Sequence, residues 1–197
     1  MATTSIAAVG GTVVRILFAI LLIAYPVVVW RGLSALSPRA IAAALLCIMV
    51  PLAVWRLRRC NRAAMRELAI VPIVTVLTLA LSAALNAADL LLVVPVLINT
   101  IFLVTFGLSL RPGVTPMVER FARLQEPELT AEQRAWCRAW TIIWSVFFVA
   151  NGTTALVLAL AAPLAWWAFY NGLVAYVLMG ILFAVEWTVR RRRFSRG

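Results

Sequence analysis

Six apolar stretches, each bounded by charged or turn-forming residues, account for most of this chain. A helix of roughly 20 largely apolar residues crosses the hydrocarbon core of a bilayer and satisfies its own backbone hydrogen bonds there. We therefore predict an all-α integral membrane protein, a six-helix transmembrane bundle that forms a single domain over residues 1–197. The predicted spans cover residues 13–30, 40–55, 68–85, 90–110, 139–161 and 164–189.

The composition excludes a water-soluble enzyme or binding module. Hydrophobic residues make up 64% of the chain and charged residues only 13%, whereas soluble domains carry about 25% charged residues. The chain contains no histidine, which removes imidazole both as a catalytic base and as a metal ligand. Its three cysteines form no C-x-x-C pair, so we expect no metal site and no cofactor.

The arginines predict how the spans are oriented. All 18 basic residues are arginines, and 16 of them fall on one side of the predicted spans. The positive-inside rule places that side, and therefore both termini, in the cytoplasm. Arginines spaced along the flanks of membrane spans contact anionic lipid headgroups, and they do not form the continuous basic surface that nucleic acid requires. Membrane lipids are therefore expected as partners, and nucleic acid is not.

The connection over residues 111–137 is longer than a turn and lies on the predicted cytoplasmic side. Thr115-Pro116 predicts the start of a short helix that lies along the membrane surface. Thr130 and Gln133 form a capping-box pattern, after which a helix is expected to run from Ala131 directly into the fifth span. The apolar face of the short helix is predicted to contain Met117, Val118, Phe121 and Leu124.

Four charged residues in and after this connection are the candidate binding residues for a ligand or partner. They are Glu119, Arg120 and Arg123 on the polar face of the short helix, and Arg138 at the start of the fifth span. Arginine forks bind carboxylates and phosphates, with a glutamate to orient them. The alternative is a solvated polar face with weak surface ion pairs. Spacing alone leaves both interpretations open.

Three asparagines inside the predicted spans are the intramembrane candidates: Asn99, Asn151 and Asn171. An amide in hydrocarbon usually hydrogen-bonds to a neighbouring helix, and the alternative is the polar lining of a ligand cavity. Carboxylates are confined to span ends, where Glu186 is expected to pair with Arg190 at i,i+4. Because no charge occupies a bilayer centre, a proton-coupled pump is disfavoured.

Several phrases carry a resemblance to a known family. MVERFARLQEPEL at residues 117–129, together with Asn151-Gly152 and Tyr170-Asn171-Gly172, resembles a group of uncharacterised bacterial polytopic inner-membrane proteins. The family is described as ketosynthase-associated, and its genes lie near aryl-polyene and xanthomonadin-type fatty-acid-like biosynthesis genes. The match covers about half of the chain, from Pro95 to Arg193. It implies a multi-pass protein of the bacterial inner membrane.

Two positions depart from the family pattern. Val94 stands where the family often has a tyrosine, and Trp136-Cys137-Arg138-Ala139 stands where a Tyr-Thr-Arg-Arg run is usual. A role for a phenol or a second arginine at those positions is therefore not carried over to this chain.

Three functions remain open on this basis. The first is a non-catalytic accessory protein of a fatty-acid- or polyketide-like pathway, which docks an acyl carrier protein, a pathway enzyme or an acyl intermediate at its arginine-rich face. The second is an acyl or lipid-group transferase. The third is a transporter of a lipid or pigment intermediate through an asparagine-lined cavity, for which a homo-oligomer is one arrangement. The transferase candidates are Glu119, Glu126, Glu128, Glu132 and Cys137.

Overall fold

The computed structural model describes residues 24–59 and 70–194, and over these residues the chain is helical without a β-strand. The helices are α1 (24–33), α2 (Pro38–Arg59), α3 (Ile70–Leu85), α4 (Ala88–Ser109), α5 (Met117–Ala122), α6 (Ala131–Ala161), α7 (Leu164–Phe169) and α8 (Ala175–Phe194). A π-helical turn over Tyr170–Val174 joins α7 to α8, so that the two form one continuous rod. The predicted all-α class is confirmed.

Three of the described helical segments are long and apolar enough to cross a membrane: Ala88–Ser109, Ala131–Ala161 and Leu164–Phe194. They correspond to the last three predicted spans. The apolar parts of α2 and α3, Pro38–Val54 and Ile70–Leu85, are shorter. Most of the predicted span over 13–30 lies outside the described residues. The outward faces of the long helices carry exposed Val and Leu side chains, which suggests a membrane protein.

The long helices pack side by side around two apolar cores. α4 lies between α3 and α6, and α2 packs on α3. One core joins α1, α2, α3, α4 and α7, where the Tyr25 hydroxyl donates to the Leu91 carbonyl oxygen at 2.7 Å. The second core joins α4, α5 and α6 and is rich in aromatic rings. The second core contains the site described below.

The described arginines divide unevenly between the two ends of this bundle. α4, α6 and the α7–α8 rod alternate in direction, so Ser109, Ala131 and Phe194 lie at one end. Contacts across that end support this arrangement, because Arg193 Nη2 lies 2.8 Å from Glu132 Oε1. We call it the arginine-rich end; its described arginines are Arg111, Arg120, Arg123, Arg134, Arg138 and Arg190 to Arg193. Arg31 and Arg39 lie at the opposite end.

Local sequence explains how two helices begin. The predicted capping box is confirmed: Gln133 N–H donates to Thr130 Oγ1 at 3.2 Å, and Thr130 N–H donates to Gln133 Oε1 at 2.7 Å. α6 runs from Ala131 without interruption, as expected. α5 begins one residue later than Thr115-Pro116 predicts, with Pro116 as its N-cap and no side-chain cap from Thr115.

Arg39 closes the C-terminus of α3 at the end opposite the arginine-rich end. Asn86 takes a left-handed φ of 53°, which lets the Ala87 N–H reach the Ser82 carbonyl oxygen at 3.2 Å. The Arg39 guanidinium donates to the carbonyl oxygens of Ala83 and Ala84 at 2.9 and 3.2 Å. These bonds satisfy carbonyl groups that a helix end otherwise leaves free.

We expect Arg39→Ala to lower stability by about 1 kcal/mol, because two carbonyl groups lose a charged donor. Thermal unfolding in detergent micelles, followed by circular dichroism, measures the change. Arg31→Ala is the matched control at the same end, since the Arg31 guanidinium lies over the half-buried Trp30 ring and not on a helix terminus. Equal melting temperatures for Arg39→Ala and wild type would contradict the capping role.

Candidate aromatic cavity at the arginine-rich end

The short helix α5 is held in place by two buried hydroxyl groups. Met117 N–H donates to Ser109 Oγ at 2.9 Å, and Val118 N–H donates to Thr141 Oγ1 at 3.2 Å. A six-residue helix is unstable by itself, so these bonds from α4 and α6 help to keep it folded. Met117 and Ala122 are buried against the same two helices. α5 therefore forms part of the second core and covers its arginine-rich end.

Glu119 lies in this interface and is buried. Its side chain is only 7% exposed, and its Oε1 accepts from both Nε and Nη2 of Arg123, at 2.9 and 2.7 Å. Of the two interpretations that spacing leaves open, the solvated polar face does not describe Glu119, because its carboxylate is buried. The carboxylate is satisfied by an arginine one turn further along the same helix.

The other two predicted binding residues donate to the backbone. Arg120 Nε donates to the Thr115 carbonyl oxygen at 2.9 Å, and Arg138 Nη2 donates to the Leu110 carbonyl oxygen at 2.9 Å. The structure therefore brings the four residues together around α5. Their described bonds tie the connection over 111–137 to itself and to the ends of α4 and α6.

We expect Arg123→Ala to destabilise the protein by about 1–3 kcal/mol, because it leaves the buried Glu119 carboxylate without its charged partner. The double variant Arg123→Ala, Glu119→Gln should recover part of that loss, since a neutral amide is less costly to bury than a charge. Melting temperatures of the variants measure both effects. Arg134→Ala, an exposed arginine of α6, is the control; a loss of equal size there would contradict the buried pair.

A cavity of about 370 Å³ lies between α4, α5, α6 and α8. Half of its lining residues are aromatic: Phe102, Phe106, Phe121, Trp144, Phe148 and Phe183. The rings contact one another closely, with centroids 5.1 Å apart for Phe106 and Phe148 and 4.5 Å apart for Trp144 and Phe183. The sequence analysis missed this cavity. The available signal was the i,i+4 spacing of Phe102 with Phe106 on α4 and of Trp144 with Phe148 on α6.

The polar groups of this cavity lie only at its arginine-rich end, where Gln125, Glu186 and Arg190 contribute to the lining. Glu186 and Arg190 do not form the predicted ion pair, because each side chain contacts a different partner. Glu186 Oε2 accepts from Trp144 Nε1 at 2.9 Å, and Arg190 Nη2 lies 3.9 Å from Glu126 Oε2. The Arg190 contact is long and its carboxylate partner is half exposed. The guanidinium therefore retains donors for a ligand.

The intramembrane asparagines form part of a hydrogen-bond chain across three helical segments. Asn151 Nδ2 donates to Asn99 Oδ1 at 3.0 Å, and the Tyr170 hydroxyl donates to Asn151 Oδ1 at 2.9 Å. Asn99 Nδ2 donates to the Pro95 carbonyl oxygen at 2.8 Å, while Asn171 bonds separately to the Trp167 carbonyl oxygen at 2.9 Å. All three asparagines also line a smaller cavity of about 90 Å³. Asn99 and Asn151 therefore pair α4 with α6, whereas Asn171 bonds within its own helical segment.

The transferase candidates do not converge on a reactive arrangement. Cys137 is 3% exposed, and Glu132 pairs with Arg193 at 2.8 Å. Glu126 contacts Arg190 and accepts from Gln133 Nε2 at 3.4 Å. Among the described residues no group of three or more His, Cys, Asp or Glu side chains could hold a metal ion.

The fold and cavity define a helical protein with membrane-length segments and an apolar cavity whose charged groups lie at one end. Comparisons with protein-family models, with curated proteins and with solved structures found no match for this chain. The geometry of the cavity and the chemistry of its lining are therefore what indicate a function.

Proposed function

We propose that this protein binds a single-chain amphiphile, with the apolar chain in the aromatic cavity and an anionic headgroup beside Arg190. It acts in the bacterial inner membrane as a six-span, non-catalytic accessory protein with both termini in the cytoplasm. The occupant is an acyl intermediate of a fatty-acid- or polyketide-like pathway of the aryl-polyene type. The family resemblance supports the proposed pathway. The shape and lining of the cavity support an amphiphile as the ligand.

One observation supports an amphiphile as the ligand: the cavity is apolar along its length and charged only at its arginine-rich end. An acyl chain with a carboxylate or phosphate head has the same division. The volume of about 370 Å³ falls within the range of about 300–1,000 Å³ typical of small-molecule sites. Phe183 lines the cavity and is 57% exposed, so a lipid chain can enter sideways from the bilayer.

A binding assay with palmitic acid tests this proposal. The purified protein is placed in phosphatidylcholine nanodiscs, and palmitic acid displaces a fluorescent fatty acid from it. We expect saturable displacement with one site per chain, and weaker binding of hexadecan-1-ol, which lacks the charge that Arg190 would contact. Displacement no different from that of empty nanodiscs would contradict the proposal.

Exposed arginines at the arginine-rich end support docking of an acidic acyl carrier protein. Arg111, Arg134, Arg191 and Arg192 are exposed at the arginine-rich end, and a cluster of one charge sign accelerates association with an acidic partner. Acyl carrier protein should bind nanodiscs that contain the protein at low salt and dissociate as ionic strength rises. If the nanodiscs captured no acyl carrier protein at low salt, this docking role would be contradicted, but the amphiphile site would not.

Fusions to alkaline phosphatase test the orientation that the proposal requires. A fusion after Asn86, at the end opposite the arginine-rich end, should be active because it lies in the periplasm. A fusion after Glu128 should be inactive, because it remains in the cytoplasm. The reversed pattern would place the cavity mouth and its arginines on the wrong side for a cytoplasmic pathway.

A further inference from the structure

The aromatic cavity and the asparagine-lined cavity share part of one wall. Phe102, Phe148 and Met179 line both of them. Phe102 and Phe148 stack face to face across this wall, with ring centroids 5.1 Å apart and planes inclined by 17°. The two rings come from α4 and α6, so the wall is made by the packing of two membrane-length helices.

Phe148 is fixed on several sides. Its ring also meets the edge of Phe106 at 5.1 Å and lies 5.8 Å from Trp144. The side chain is 5% exposed, and a ring held by this many neighbours does not rotate away without disturbing them. The wall is therefore a rigid end to the aromatic cavity, on the side away from Arg190.

The space behind the wall is small. The smaller cavity has a volume of about 90 Å³ and contains the amides of Asn99, Asn151 and Asn171 among mainly apolar side chains. The rigid wall therefore limits the chain by steric exclusion.

We propose that the stacked pair of Phe102 and Phe148 sets the length of acyl chain that the protein accepts. With the headgroup at Arg190, an unbranched chain extends through the aromatic cavity and its terminal methyl group rests on the two rings. Longer chains are excluded because they would have to displace Phe148 or withdraw the headgroup from Arg190. This inference rests on the proposed amphiphile site and names its specificity-determining residues.

The test measures affinities for a series of saturated fatty acids from decanoic to stearic acid, in the same nanodiscs. For the wild-type protein, affinity should rise with each added methylene group and then stop rising at a defined length. Phe148→Ala should move this limit to longer chains by two or more methylene groups. In this variant, the affinity for the first chain beyond the wild-type limit should increase about tenfold, since each newly buried methylene group adds to the free energy of binding.

Two further variants provide a control and a second, independent test. Phe169→Ala removes a ring from an exposed site on α7 that lines neither cavity, and it should leave the limit unchanged. Met179→Phe adds bulk to the shared wall without removing the stacked pair and should move the limit to shorter chains, which matters if Phe148→Ala fails to fold. A wild-type limit that neither variant moves would overturn the inference and leave the proposed function intact. Absence of any saturable fatty-acid binding would overturn both.

Discussion

Replacing Gly152 with valine is expected to separate α4 from α6 and to destabilise the protein by about 3 kcal/mol. A Cβ atom at Gly152 would lie 3.0 Å from the Asn99 Cβ, which is close to the backbone and cannot rotate away. Overpacking of this kind costs about 1–3 kcal/mol, and it also strains the hydrogen bond between Asn99 and Asn151. Thermal unfolding in micelles, followed by circular dichroism, measures the loss.

Two other helical glycines provide the control for this effect. A Cβ atom at Gly107 on α4, or at Gly180 on α8, would meet no heavy atom within 4 Å. Valine at either position should therefore change the melting temperature little. If Gly107→Val destabilised the protein as much as Gly152→Val, the close approach of α4 to α6 would not be the cause.

Reversing the charge of Arg190 is expected to weaken palmitic acid binding by about 10- to 150-fold. A hydrogen bond between charged groups contributes about 1.5–3 kcal/mol, which corresponds to this range, and the new carboxylate would also repel the headgroup. Arg190→Glu should at the same time bind palmitoylcholine, whose head is cationic, more tightly than wild type. Displacement of the fluorescent fatty acid measures both affinities.

Arg191→Glu is the matched control for Arg190→Glu. The Arg191 guanidinium lies over the Trp187 ring, 4.8 Å from its centroid, and Arg191 does not line the cavity. The two substitutions change net charge equally, so any general surface effect on fatty-acid partitioning appears in both. Equal losses of palmitic acid affinity would show that Arg190 does not contact the headgroup.

The sequence predicts the long helices because their composition alone determines them. A long, largely apolar run such as Ala88–Ser109 satisfies its backbone in hydrocarbon by forming a helix, and the Thr130–Gln133 capping box marks the start of α6 from four adjacent residues. These features depend on neighbours in the chain. Their prediction needs no knowledge of which helices touch.

The burial of Glu119 could not be predicted in the same way. Periodicity within the six residues of α5 shows two faces, but it does not show which face α4 and α6 will cover. A charged face is compatible with solvent or with a binding site, while the structure buries the Glu119 carboxylate and satisfies its charge with Arg123 at i,i+4. A buried charge with a local partner looks the same in sequence as an exposed ion pair.

The aromatic cavity was missed for a related reason. Its walls come from helices far apart in sequence, and the contact between Trp144 and Glu186 joins residues 42 positions apart. The aromatic pairs on α4 and α6 each resemble ordinary membrane-facing rings when each helix is considered separately. Only the packing of α4, α5, α6 and α8 shows that these rings enclose a space.

Photolabelling in membranes tests the central claim most directly. A palmitic acid analogue with a diazirine near the end of its chain is activated in nanodiscs that contain the protein, and peptide mass spectrometry locates the adducts. The account predicts adducts at Phe102 and Phe148, which excess palmitic acid removes. Adducts only on outward-facing residues such as Val146 and Leu160, unchanged by competitor, would contradict it.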